Sequence, residues 1–219
     1  MPTDRLNYIN CKCEVNVEHL KARDIPIVAQ LYMRSFQNHF LGHMGQKFLM
    51  LFISEFVNSR GNFGYVATFK NEAIGFILAS TSENPFRNFY RDNFISLVCL
   101  TISGFLKDAF IRKHLKEKFG HIFLALKALV SFSEGSIDHV EMKGGQPRLL
   151  AIAVDRSYRG LGIASDLTAE FCKEMKELGY EEAGLSALPW NKRAIRFYIK
   201  DGWKEEESTE NSISFSRIL

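Results

Sequence analysis

The chain has 219 residues and a mass of 25.1 kDa, enough for one large domain or two small ones. Hydrophobic residues make up 46% and charged residues 24%, which excludes disordered, collagen-like and coiled-coil chains. The net charge of +3 is too small to indicate a nucleic-acid partner. The four cysteines show no metal-ligand spacing with histidine, so we expect no metal site.

The cysteines and the apolar stretches also bear on the compartment. Cys11 and Cys13 are too close for a comfortable disulfide and no signal peptide is recognised, so we predict a cytoplasmic protein. The longest uncharged stretch lies between Asp92 and Lys107 and has 14 residues. A spanning helix needs about 20, so we predict no transmembrane segment.

The first elements are indicated by apolar periodicity. Alternation in CKCEVNV, residues 11–17, predicts a strand. A helix is predicted to begin at Asp24 as N-cap, with Pro26 in its first turn, and to run towards Phe36. A second helix is indicated by an apolar stripe formed by Phe48, Leu51, Phe52 and Phe56. GYVATF and AIGFILAS, joined by a polar turn at 70–72, predict an antiparallel hairpin.

The segment from residue 81 to 146 leaves this strand-like patterning. Its two hydrophobic blocks, 94–111 and 119–132, predict a helical insertion between the third and fourth strands. Seven basic and three acidic residues lie between 87 and 118. This basic face is a solvated surface, a binding surface for a phosphate-bearing acceptor, or a peripheral membrane contact. The Phe-rich helices could equally form a homodimer interface.

The second half alternates strands and helices. RLLAIAV, residues 148–154, is a continuous apolar run typical of a central strand, and an amphipathic helix from 163 to 178 follows, ended by Gly179. Next come a short strand in AGLSALPW and a helix at 191–200. WKEE and ISFSRI predict two final strands. The order β-α-α-β-β, insertion, β-α-β-α-β-β indicates a single mixed α/β domain over residues 1–219.

The turn between the central strand and its helix has the character of an anion site. A helix N-terminus offers unpaired N–H groups and the positive end of the helix dipole. Gly160 and Gly162 remove Cβ atoms that would hold a pyrophosphate away, and Arg159 adds a permanent charge. A tight strand-to-helix turn without a ligand would also explain the two glycines.

Two phosphate-binding patterns fail here and a third fits. The Walker G-x-x-x-x-G-K-[ST] is absent, and the dinucleotide G-x-G-x-x-G is broken by Ser165. R-x-x-G-x-[GA] is matched by Arg159, Gly162 and Ala164. A second motif, N-x-x-A-x-x-[FL]-Y-x-x-x-G-[FW], is matched from Asn191 to Trp203. With both motifs, the sequence resembles the GNAT superfamily of acyl-CoA-dependent N-acetyltransferases.

The resemblance implies the GNAT fold, an α/β fold with a mixed sheet, and a site for acetyl-CoA. The strand ending at Val154 would splay from its neighbour around 186–189, and pantetheine would pair with backbone of Ile152 and Val154 in the gap. The pyrophosphate would rest on N–H groups from 160 to 164. The implied cofactor-binding residues are Ile152, Ala153, Val154, Arg159, Gly160, Leu161, Gly162, Ile163, Ala164, Asn191, Ala194, Phe197 and Tyr198.

The second motif carries the implied catalytic residue. Asn191 and Tyr198 are seven apart and face the same way on a helix, with the small Ala194 between them. By resemblance, Asn191 bonds the pantetheine arm, and Tyr198 protonates the departing CoA thiolate. Without the motif, Tyr198 would be interpreted as a core aromatic residue.

The general base and the acceptor stay open. Glu134, His139 and Glu141 precede the central strand, His39 and His43 lie between the first two helices, and a base acting through ordered water is equally open. We predict acetyl transfer to a primary amine of a small molecule, such as an amino-sugar nucleotide or a lipid-linked sugar. The alternatives are a protein or peptide N-acetyltransferase and a CoA-binding module without catalysis.

Overall fold

The computed structural model describes residues 15–37, 40–83, 85, 86, 89, 93 and 145–219. Elements are numbered within these residues. The strands are β1 (Asn16–His19), β2 (Asn62–Phe69), β3 (Glu72–Ser80), β4 (Arg148–Val154), β5 (Glu182–Ala187), β6 (Lys204–Ser208) and β7 (Ile213–Ile218). The α-helices are α1 (Ile25–Ser35), α2 (Phe40–His43), α3 (Gln46–Asn58), α4 (Ile163–Glu177) and α5 (Lys192–Lys200).

The seven strands form one mixed sheet in the order β1-β2-β3-β4-β5-β7-β6. Every neighbouring pair is antiparallel except β4 and β5, which run parallel. The parallel pair lies at the centre, so the sheet consists of two antiparallel halves that meet at β4 and β5. The edge strand β6 is fully exposed and carries the charged run KEEES.

Within the described residues the predicted order of strands and longer helices is confirmed, with small shifts at the boundaries and with the short helix α2, which was not predicted, between the first two. The first strand is Asn16–His19, so it begins later than the predicted 11–17, and residues 11–14 lie outside the described part. Asp24 is the N-cap of α1, but its carboxylate accepts from the Lys21 amide (2.9 Å) and caps no α1 amide. The helical insertion lies outside the described residues, apart from its margins.

One apolar cluster covers the face of the sheet that meets α1 and α3. The stripe predicted for the second helix is largely buried: Phe48, Phe52 and Phe56 lie within it, while Leu51 packs at its margin. Aromatic rings supply much of the contact because each buries a large apolar area. This layer places the end of α1 beside the central strands.

A second cluster covers the opposite face, beneath α4 and α5. The buried stripe of α4 is formed by Ile163, Leu167, Phe171 and Met175. α5 buries Tyr198, which packs with Trp203 and Phe215. The two helices that carry the sequence motifs therefore lie on one side of the sheet, over the β4–β5 junction.

Candidate functional site: a cleft at the split between β4 and β5

The central strands separate soon after they meet. β4 pairs with β5 only at Arg148–Gly184 and Leu149–Leu185, while its pairing with β3 continues to Val154. At the base of the split, Arg148 donates to the Ser186 hydroxyl (2.7 Å). A cleft of about 680 Å³ opens beyond this point, large enough for a sizeable ligand.

The backbone of β4 directs amides into the gap. The Asp155 amide donates to the carbonyl of Ile74 in β3 (2.7 Å). Successive amides of a strand point to opposite sides, so those of Val154 and Ile152 point away from β3 and towards the gap. They are the backbone positions that the family resemblance assigns to pantetheine.

The turn after β4, residues 159–164, is called the glycine turn here; it lines one part of the cleft and has the geometry of a candidate anion site. Gly160 and Gly162 have φ angles of +84° and +82°, a left-handed conformation that glycine adopts without a Cβ penalty. Gly162 is the N-cap of α4, and its carbonyl accepts the first helical bond, from Asp166 (3.0 Å). The first-turn amides of α4 therefore have no helical partner and can receive phosphate oxygens.

Positive charge is concentrated beside this turn. The Arg159 Nε donates to the Val154 carbonyl (3.0 Å), which fixes the guanidinium across the end of β4. Burial, and then the nearby Arg193 and Arg156, lowers the pKa of Arg159. Arginine remains charged at neutral pH, so an anion at the turn would relieve the repulsion.

Tyr198 also lines the cleft, although it is only 6% exposed. Its ring packs edge-on against Trp203 (6.3 Å between centroids) and against Phe215 (5.8 Å). Burial, and secondarily the charge of Asp201, raises the pKa of Tyr198 well above its usual value. The hydroxyl is therefore protonated at neutral pH, as a proton donor must be.

Asn191 lines the cleft and also caps the N-terminus of α5 with a hydrogen bond. It is the N-cap of α5, and its Oδ1 accepts from the Ala194 amide (3.2 Å). That bond uses one oxygen lone pair and leaves both amide protons for a ligand. Ala194 and Phe197 line the cleft one and two turns along α5.

The cleft brings together all the predicted cofactor-binding residues except one. Leu161 does not line it and packs instead against the apolar cluster beneath α4. Lining residues that sequence reasoning missed include Arg34, Ser35, Phe36, Gln37, Trp190, Arg193, Lys200 and Asp201. Arg193 and Lys200 lie on α5 between motif positions, while the segment 34–37 follows α1 and is distant in sequence. No motif signal could have identified these residues.

Of the candidate general bases, His43 is the one that the structure describes, and it does not line the cleft. One of its ring nitrogens bonds the Gln37 carbonyl. His39, Glu134, His139 and Glu141 lie outside the described residues. Among the described lining residues, Asp201 is the one carboxylate, and it is paired with Arg217 (3.0 Å).

No group of three or more His, Cys, Asp or Glu side chains is placed to hold a metal ion within the described residues. Of the helices that the structure describes, none combines the length and hydropathy needed to cross a bilayer.

Solved structures with the same architecture are acetyltransferases. PaiA N-acetyltransferase from Thermoplasma acidophilum, in complex with coenzyme A, is 15% identical with a TM-score of 0.56, covering 94% of this chain and 99% of its own. The aminoglycoside N-acetyltransferase AAC(6')-Iy with CoA is 13% identical, TM-score 0.56, covering 89% and 91%. The Escherichia coli ribosomal-protein-S18-alanine N-acetyltransferase is 13% identical, TM-score 0.53, covering 94% of each chain.

At these identities the structural likeness shows the fold, and the sequence itself shows the family. No curated protein matches the chain significantly. The profile of the Acetyltransferase (GNAT) family matches residues 25–203, which include both motifs and every described strand except β1, β6 and β7. The chain belongs to the GNAT acetyltransferase family and is an acetyl-CoA-dependent N-acetyltransferase.

Proposed function

We propose that the protein transfers the acetyl group of acetyl-CoA directly to a primary amine of a small molecule that carries a phosphate. The observation that carries the proposal is a single cleft that is lined by the turn at 160–164, by Tyr198 and by several cationic side chains. The donor would lie along the split, with its pyrophosphate at 160–164 and its pantetheine amides on backbone of Ile152 and on the Val154 carbonyl, which leaves the Val154 amide for the reacting group.

The transfer needs one nucleophilic attack and one proton donation. The free amine nitrogen attacks the thioester carbon, and the oxyanion that forms accepts a bond from the Val154 amide. As the C–S bond breaks, sulfur takes the Tyr198 proton and nitrogen loses its excess proton to water, from which the phenolate is reprotonated. Burial disfavours the phenolate and the departing thiolate alike, because both are anions in the same cleft.

The charges of the cleft favour an anionic acceptor. Arg34, Arg159, Arg193 and Lys200 line it, and the one described carboxylate there, Asp201, is paired with Arg217. A polycationic acceptor would be repelled by this lining. Arg34 lies in the last turn of α1, a different element from the turn that would hold the donor's pyrophosphate, and it lines the cleft. We therefore choose it as the side chain to bind a phosphate of the acceptor.

Release of the CoA thiol from acetyl-CoA tests the reaction. We expect turnover with amino-sugar nucleotides or amino-sugar phosphates, because their phosphate complements the cationic lining. We expect little with polyamines, aminoglycosides, amino acids or peptides. Thiol release would be followed by a chromogenic disulfide, and the product by mass spectrometry. Equal turnover on the uncharged amino sugar would contradict the phosphate requirement, and turnover on peptides alone would favour the protein-acetyltransferase alternative.

Arg34→Gln is expected to raise the KM for the phosphate-bearing acceptor about tenfold, because it removes one charge-assisted contact. The KM for acetyl-CoA should stay unchanged. Arg60→Gln is a matched control, since Arg60 is also an exposed arginine near the C-terminal end of a helix but does not line the cleft. Steady-state kinetics with each substrate varied in turn would check both variants. An unchanged acceptor KM in Arg34→Gln would exclude this contact.

A further inference from the structure

Asp201 sits at a junction between the two motif helices, outside both motifs' defined positions. It is the C-cap residue of α5, and its amide donates to the carbonyls of Phe197 (2.9 Å) and Tyr198 (3.1 Å). Its side chain is 9% exposed. The carboxylate is therefore attached to the residue that immediately follows α5, the helix that carries Tyr198.

One carboxylate oxygen of Asp201 receives three bonds from three different elements. Oδ2 accepts from the Thr168 hydroxyl of α4 (2.8 Å), from Arg217 Nη1 of β7 (3.0 Å) and from Trp203 Nε1 (3.3 Å). The Thr168 hydroxyl also lies near the carbonyls of Ala164 and Ser165. It has one proton to donate, and the charged carboxylate is both the nearest and the strongest acceptor.

Thr168 connects this junction to the glycine turn. It is fully buried, and it lies one turn into α4 from the end of the glycine turn. Trp203 makes the opposite connection, since its ring is in edge contact with the Tyr198 ring and its amide donates to the Tyr198 carbonyl (3.0 Å). Asp201 thus connects α4, whose first turn belongs to the glycine turn, to Tyr198.

We infer that Asp201, held by Thr168 and Trp203, is a positioning residue that sets the place of Tyr198 relative to the glycine turn. A donor anchored by its pyrophosphate delivers its sulfur at a fixed distance from that turn. Proton donation requires the Tyr198 hydroxyl to lie within hydrogen-bond reach of that sulfur. The inference rests on the proposed function, because it assigns Asp201 a role only if Tyr198 is the acid.

A pair of variants at Thr168 tests the hydrogen bond between its hydroxyl and the Asp201 carboxylate. Thr168→Val keeps the shape and removes the hydroxyl, and Thr168→Ser keeps the hydroxyl. We expect Thr168→Val to lower kcat about tenfold with the dissociation constant of acetyl-CoA unchanged, because the acid is displaced while the donor site persists. Thr168→Ser should retain a kcat close to that of the unmodified protein.

A double-mutant cycle with Tyr198→Phe distinguishes positioning from a general structural effect. In the Tyr198→Phe background Thr168→Val should lower kcat no further, since there is no acid left to displace. An equal loss in both backgrounds would overturn the inference while leaving the proposed function intact. An unchanged kcat in Thr168→Val would overturn it as well. Absence of CoA release by the unmodified protein would overturn the proposed function, and this inference with it.

If Thr168→Val fails to fold, Trp203→Phe tests the same role of Asp201 by removing the hydrogen bond between Trp203 and Asp201. The family signature accepts Phe at this position, so the ring contact with Tyr198 is retained while the bond to Asp201 is lost. We expect about a threefold fall in kcat that disappears in the Tyr198→Phe background. A fall that persists in that background would contradict positioning through Asp201.

Discussion

Tyr198→Phe is expected to lower kcat about 100-fold while the KM for acetyl-CoA stays near its original value. General acid catalysis contributes about 100-fold or more, and the substitution removes the one proton-donating atom. The ring contacts with Trp203 and Phe215 are kept, so the fold and the donor site should persist. Thiol-release kinetics and calorimetric binding of acetyl-CoA would measure the two effects separately.

Tyr180→Phe provides the control for loss of a phenol. Tyr180 follows α4, is half-buried and does not line the cleft. Its substitution should leave kcat unchanged. If Tyr198→Phe instead retains a kcat within about twofold of the original, another proton donor serves the thiolate, and the role of Tyr198 is packing alone.

Gly160→Asp is expected to weaken acetyl-CoA binding roughly 100-fold. A Cβ at Gly160 meets no protein atom within 4 Å, and the residue lines the cleft, so a side chain there would occupy ligand space. A carboxylate about 6 Å from a phosphate is repelled by about 2.8 kcal/mol at the effective dielectric constant of about 20 found near a protein surface, which corresponds to this loss. Isothermal titration with acetyl-CoA would measure it.

Gly179→Asp is a control for Gly160→Asp. It introduces the same backbone strain and the same charge at a position outside the cleft. Gly179 has a φ of +86° against +84° at Gly160, and a Cβ there also meets nothing within 4 Å, but it lies beyond the C-terminal end of α4. Gly179→Asp should therefore share the backbone strain, about 1 kcal/mol, without weakening acetyl-CoA binding. Gly160→Ala, with a Cβ and no charge, should fall between the two. Equal affinities in all three would exclude the turn as the pyrophosphate site.

The fold was predictable because its elements have strong local signals. The stripe around Phe52 has helical spacing, the apolar run up to Val154 indicates a central strand, and the polar residues at 70–72 mark a tight turn. In the structure Lys70 and Asn71 have positive φ angles of 50° and 65°, as a two-residue hairpin turn requires. Boundaries were less certain, because the start of β1 depends on pairing with β2.

The candidate site was predictable only where its residues share a motif. Gly162 and Tyr198 were predicted because each belongs to a pattern with defined spacing. Arg34 is brought to the cleft by the packing of α1, and no periodicity in the sequence encodes that approach. The bond between Thr168 and Asp201 joins residues 33 apart, so it is visible only in three dimensions. The capping bond of Asn191 was likewise not predicted, although Asn is a favoured N-cap residue.

The split in the sheet has a consequence for self-association. An unpaired strand edge is a template for another strand, and proteins protect such edges with charge, brevity or cover. β1 is only four residues long, and β6 carries the charged run KEEES. The inner edge of β4, from 150 to 154, has neither protection and pairs with no described strand on the β5 side. In the proposed donor position acetyl-CoA would cover this edge, so we expect the donor to lower the tendency of the chain to self-associate through it.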